Sequence, residues 1–222
     1  MRYHIAITLI VLAALAPAKA QTLLGARWGY SISTLSIQNE QQGLLHGFGL
    51  MDYGLTVKYF DLKYLGLQAE LNYTQRGYVK PLSGNELSSY KRVNTYLEVP
   101  ILMQLRFASR VFFMHLQGGP YGALLVRSEH GSNTDSDDDF MLKPYTLNIL
   151  YDNRVDFGLI GGVGIGFDTR VGTLQLETNF LYGHADLYKR PEQGDPTRSF
   201  SMALRVSATY LINLSRIVES RK

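Results

Sequence analysis

Cysteine is absent from the 222 residues, which excludes disulfide scaffolds, cysteine-ligated zinc and thiol catalysis. Charged residues are scarce at 18%. Beyond the N-terminus no apolar run approaches the roughly 20 residues that a spanning helix needs. A bundle of membrane helices is thereby excluded. Charge of one sign is also missing. The formal net charge is +3, and Arg2 and Lys19 contribute two of the 22 cations; the other 20 face 19 acids. Such a balance offers no nucleic-acid surface. What the chain does have is Tyr (15), Phe (10) and Gly (21), a composition suited to strands and tight turns.

The first 20 residues read as a secretory signal peptide. Met1-Arg2-Tyr3-His4 is a short positive region, and Ile5 to Leu15 an apolar stretch too short to span a bilayer. Pro17 breaks it, and Ala18-Lys19-Ala20 places small residues before Gln21, as a signal peptidase requires. The chain therefore divides into a leader over 1–20, one domain over 21–214 and a short polar tail over 215–222.

Within the domain, every second residue is apolar in eight segments. They cover about 24–33, 47–60, 65–76, 94–107, 111–126, 154–168, 173–184 and 199–212. The third is the cleanest: Leu65, Leu67, Ala69, Leu71 and Tyr73 alternate with Gly66, Gln68, Glu70, Asn72 and Thr74. Gly118-Gly119-Pro120 in the fifth predicts a bulge or kink. Short turns at 61–64, 108–110 and 169–172 alternate with long polar loops at 34–46, 77–93, 127–153 and 185–198. This is the plan of an eight-stranded antiparallel up-and-down transmembrane β-barrel in an outer membrane, with both termini periplasmic.

A soluble eight-stranded barrel shares this period but keeps its apolar face inside. Three features favour the inverted arrangement. Each segment is long enough to cross a bilayer at a tilt. Aromatic residues form two belts on the apolar face: Tyr59, Phe107, Phe112, Phe167 and Tyr210 near the short turns, and Tyr53, Tyr73, Phe157, Tyr182 and Phe200 near the long loops. The other face carries many glycines and five cations, Arg27, Lys58, Arg76, Arg106 and Arg205. Against them stand six acids, Asp52, Glu70, Glu98, Asp156, Asp168 and Glu177. A narrow lumen can pair such groups across strands. Arg27, Glu70, Arg76, Glu98, Arg106, Glu177 and Arg205 are the residues expected to form this polar network and fill the interior.

Several stretches resemble the PorT-like family of outer-membrane β-barrel proteins, similar in architecture to the OmpA transmembrane domain. They are Leu67-Gln68-Ala69-Glu70-Leu71-Asn72-Tyr73-Thr74-Gln75-Arg76-Gly77, Tyr96-Leu97-Glu98-Val99-Pro100-Ile101-Leu102 and Leu116-Gln117-Gly118-Gly119-Pro120-Tyr121. Arg154 to Gly162 and Leu176 to Gly183 complete the set. The resemblance implies an eight-stranded barrel without assigned chemistry. One branch of that family takes part in type IX protein secretion, and no residue here selects that branch.

Motifs for chemistry are weak. His46 and His184 near Ser31, Ser33 and Asp186 could assemble a lipid acyl hydrolase, but nothing supplies an oxyanion hole. No catalytic residue is assigned and the protein is read as a non-enzyme. Asn133 to Asp139 resembles the start of a calcium loop, yet Asp138 stands where Gly is needed and Pro144 where a bidentate Glu is needed. No metal and no cofactor is expected. Gly162-Val163-Gly164-Ile165-Gly166 lies inside a strand and is not a dinucleotide fingerprint.

The expected role is structural or adhesive, with surface loops presented on a plugged monomeric barrel. The alternatives are an accessory part in protein secretion, a narrow solute pore and, last, a lipid-modifying enzyme. The expected surroundings are outer-membrane lipid, lipopolysaccharide and, during biogenesis, the barrel-assembly machinery. A surface or secretion partner would engage the 127–153 loop. The acidic half of that loop should be solvated. Its apolar half, Phe140 to Tyr151, should extend the fifth and sixth segments as a hairpin or pack over the barrel mouth.

Overall fold

A computed structural model describes residues 21–37, 49–60, 62, 64–81, 89–109, 111–133, 142–145, 153–169, 171–185 and 199–214. The leader, His46, the acidic stretch at 134–139, Asp186 and the tail at 215–222 lie outside the described residues.

Each of the eight alternating segments becomes a strand over most of its described residues. The elements are β1 (Gln21–Ile37), β2 (Gly49–Phe60), β3 (Leu65–Pro81), β4 (Ser89–Ala108), β5 (Phe112–Asn133), β6 (Lys143–Pro144), β7 (Val155–Asp168), β8 (Thr173–Gly183) and β9 (Ser199–Asn213). Each long strand pairs antiparallel with the next, and β9 returns to β1 along a ladder from Leu23↔Asn213 to Ile37↔Ser199. The eight long strands thus form a closed antiparallel barrel. Closure removes the exposed edges that would invite aggregation. β6 stands outside the ring and adds two residues to β5, at Glu129↔Pro144 and His130↔Lys143.

The barrel is inverted with respect to a soluble one. Ile101 is 57% exposed, and Leu67, Leu71, Leu97 and Val99 are exposed beside it. Ala69, between Leu67 and Leu71, faces the same way. Buried positions between them hold Gln68, Glu70, Asn72 and Glu98. The aromatic residues pair across strands at both rims: Tyr53 stacks on Tyr73 at 5.1 Å, and Phe112 meets Phe167 at 5.4 Å.

Three features differ from the sequence reading. First, β3, β4 and β5 run to 81, from 89 and to 133, into stretches read as loop. Polar residues there continue the ladder because β3 and β5 still pair with β4, from Gln75↔Thr95 to Pro81↔Ser89 and from Thr95↔Arg127 to Ser89↔Asn133. Second, at Gly118–Pro120, where a bulge or kink was expected, the register does not shift but the pairing with β4 is interrupted. The pairs Pro100↔Tyr121 and Met103↔Gly118 keep one register, and no pair is formed between them. Pro120, which would face Ile101, has no N–H to give to that pair. Gly119 lets the chains close up, since a Cβ there would lie 2.1 Å from the Ile101 carbonyl oxygen. The register shifts instead at Thr95/Tyr96, where Thr95 faces Arg127 and Tyr96 faces Leu125. Third, the pairing of β2 with β3 stops at Asp52↔Thr74. Beyond it β1 reaches across: the Ser33 hydroxyl donates to the Gly77 carbonyl at 3.0 Å and accepts the Gly77 N–H at 2.8 Å.

Of the apolar half of the 127–153 loop, Leu142 to Tyr145 are described. Tyr145 donates its N–H to the Ser128 carbonyl at 2.9 Å. Its ring meets His130 edge-on at 5.4 Å and lies 4.5 Å from the Arg92 guanidinium. Here the loop lies against the β4–β5 hairpin.

Candidate functional site

The closed ring brings charges from distant strands into one narrow interior. Starting on β3, Glu70 accepts from Arg27 of β1 at 2.7 Å. Arg27 also donates to Asp52 of β2 at 2.6 Å. Asp52 forms an ion pair with Arg205 of β9, and Arg205 donates to Glu98 of β4 at 3.0 Å. Glu98 pairs with Arg76, and Arg76 with Asp156 of β7. Tyr121 of β5 ends the chain, its hydroxyl donating to Asp156 at 3.1 Å. Signs alternate along the whole run of seven charges from Glu70 to Asp156. Every carboxylate in the middle lies between two guanidinium groups, the condition under which buried ions are tolerated. Neutral groups fill remaining positions: Asn72 donates to Glu70 at 2.7 Å, and Arg205 donates to the Thr74 hydroxyl at 3.3 Å.

Five of the seven network residues named from the sequence, Arg27, Glu70, Arg76, Glu98 and Arg205, lie in this chain. Arg106 and Glu177 do not join it. Glu177 pairs with Lys58 at 2.9 Å and stands 3.3 Å from His115 Nε2. Arg106 pairs with Asp168 near the short turns, its guanidinium 3.8 Å from the Phe113 ring centroid. Asp52, Asp156 and Lys58 were legible as inward residues but not as links, because strand separation hides which inward residues meet. Arg92 was missed because it lay in a stretch read as loop; it is buried and donates to Asn94 and Ser128.

The interior is not polar throughout. Leu102, Ile160, Leu181, Leu125, Ala123 and Ala203 are buried with Tyr96 and Tyr121, and Leu23, Phe60 and Leu211 form a second cluster nearer the short turns. These residues take the inward places of the strand alternation, where a polar lumen was expected. An eight-stranded interior has room only for packed side chains, so apolar groups serve where no charge needs a partner.

Glycines on β7 supply the sockets for that packing. A Cβ on Gly164 would lie 2.3 Å from the His115 ring and 2.8 Å from the Leu176 carbonyl oxygen. Gly161 points outward, where a Cβ would meet nothing within 4 Å. Gly164→Val is therefore expected to destabilise the barrel by about 1–3 kcal/mol through overpacking, while Gly161→Val leaves it unchanged. Urea unfolding in lipid vesicles measures both; equal losses at the two sites would remove the socket.

The serines considered for hydrolysis are occupied. Ser31 donates to the Gln75 carbonyl at 3.3 Å and Ser33 is bound to Gly77. His184 donates its backbone N–H to the Phe157 carbonyl at 2.8 Å and packs its ring edge-on against Tyr182 at 5.0 Å.

Residues 19–189 match the model of the outer membrane protein beta-barrel domain family. The chain belongs to this family, and it is an integral outer-membrane protein of the Gram-negative type. Solved structures to which the chain is similar include Ail, the attachment invasion locus protein of Yersinia pestis, at 12% identity and TM-score 0.44. That match covers 86% of this chain and 99% of the other. OprG of Pseudomonas aeruginosa is 11% identical, with TM-score 0.38, covering 87% and 93%. The outer membrane protease OmpT of Escherichia coli is 9% identical, with TM-score 0.41, covering 88% and 96%. No curated protein matches the chain by sequence.

Proposed function

We propose that this protein is a plugged monomeric anchor that presents loops at the cell surface in a structural or adhesive role. The observation that carries the reading is the run of alternating charges from Glu70 to Asp156, which crosses the lumen through strands β1, β2, β3, β4, β7 and β9. With Lys58, with Gln117, which is buried and donates to Asn179 at 2.8 Å, and with the apolar clusters, it leaves the interior to side chains rather than to a solute path. The long-loop end then faces outward and the short turns and both termini face the periplasm. The fabric of β3, β4 and β5 beyond the ring, with Tyr145 packed on it, supports an ordered base for the 127–153 loop. On this reading the loop is where a surface partner or a secretion partner binds, and lipopolysaccharide surrounds its base. The PorT-like stretches lie in β3, β4, β5, β7 and β8 and support the barrel more than any branch-specific role.

Two measurements test it. In planar bilayers the wild-type barrel is expected to show no large steady conductance; a stable wide channel would overturn the plug. A deletion strain complemented with wild type should regain adherence, whereas complementation with residues 134–139 and 146–152 replaced by Gly-Ser linker should not. Equal adherence from both would overturn the presenting role.

A further inference from the structure

A cavity of about 220 Å³ opens at the short-turn end of the lumen, lined by Gln21, Leu23, Arg106, Asp168, Thr173 and Asn213 among others. Two observations bear on what it could take up. Asp168 accepts the Thr173 hydroxyl at 2.7 Å on Oδ1 and pairs with Arg106 through Oδ2. Its side chain nonetheless stays 40% exposed, so the carboxylate still has an open side. The second is that β1 begins at Gln21, directly after the Ala18-Lys19-Ala20 cleavage signal.

We propose that removal of the leader delivers a new α-ammonium, that of Gln21, into this cavity, where it pairs with Asp168. The inference rests on cleavage after Ala20. Hydrolysis of the Ala20–Gln21 amide gives water's hydroxyl to the Ala20 carboxyl and its proton to the Gln21 nitrogen. That amine takes up a further proton from solvent, since a free α-amino group titrates at about 7.7–8.0. An uncharged peptide N–H in the precursor thus becomes a cation beside a carboxylate in the mature chain. The contact pins the first strand to β7 across β8 and β9, next to the seam where β1 and β9 close the ring. It also has a chemical off-state. An N-terminal glutamine can cyclise to its lactam with loss of ammonia, which removes the positive charge and leaves the rest of the barrel as it was.

The test compares two refolded chains in the same vesicles, one beginning at Gln21 and one carrying a neutral Gly-Ser extension before it, each with Asp168 and with Asp168→Asn. The extension is expected to lower Tm by about 2–4 °C with Asp168 and not with Asp168→Asn, and a cyclised fraction should behave like the extended chain. The same shift in both backgrounds, or no shift in either, overturns the pairing. Where Asp168→Asn does not fold, the pH dependence of α-amine acetylation decides. An amine held beside the carboxylate titrates above the ordinary range, and an ordinary titration overturns the proposal. The intact mass of protein taken from its own membrane tests the cleavage site separately. A mature chain starting elsewhere removes the leader reading, while the refolded pair still reports on the contact.

Discussion

Arg205→Met is expected to cost the barrel about 3–5 kcal/mol, the range for breaking a buried ion pair by removing one partner. Arg205 is 1% exposed and is the cation shared by Asp52 and Glu98. Without it both carboxylates stay inside, Asp52 with Arg27 alone and Glu98 with Arg76 alone, and Thr74 loses a donor. Methionine keeps much of the volume, so the loss reports charge rather than a void. Arg205→Met combined with Glu98→Gln should recover part of the loss, because one of the two stranded acids is then neutral. Urea unfolding in vesicles reads all three chains. A single-variant loss below about 1 kcal/mol, the scale of an exposed pair, would mean that the lumen is wet enough to screen these charges.

The second large effect lies on the outer face of β4, the strand that carries Glu98. Ile101→Arg is expected to destabilise by about 2–4 kcal/mol, the cost of a cation near the bilayer midplane. Ile101 sits midway along the exposed series from Leu97 to Phe107 on β4, far from either rim to which an arginine could snorkel. Phe107→Arg, at the short-turn rim, should cost far less, since the cost falls to about 0–1 kcal/mol near the interfaces. Equal losses at 101 and 107 in vesicles would show that depth, and with it the apolar belt, has been misplaced.

The fold was legible because a period of two carries its own test: one wrong residue inverts both faces. Leu67 through Tyr73 show this, for no other register sends Gln68, Glu70 and Asn72 inward together. Boundaries were less legible. The polar residues at 77–81 and 89–93 look like loop, and only the partner strand, absent from any local pattern, makes them a ladder. The site was legible by face and not by pairing. Arg106 is an inward cation like Arg76, but its partner Asp168 is fixed by closure near the turns rather than by spacing in the sequence. Inward Leu102, Ile160 and Leu181 were hidden by the expectation of a uniformly polar lumen. Position in a strand tells which way a side chain points, but not what stands opposite across the barrel.

The charge chain also dictates an order of assembly. Its central cation comes from β9, the last strand made, and meets Glu98, 107 residues earlier, and Thr74, 131 residues earlier. Contacts this far apart form late, after the intervening loops have been closed. Until β9 arrives, Asp52 and Glu98 must each wait half-neutralised in an open sheet, where water can still reach them. Arrival of the final strand supplies the missing charge as it supplies the missing hydrogen bonds to β1, so closing the wall and drying the interior are one event. A chain that stops short of residue 205 lacks both, and has no stable closed form to mature into.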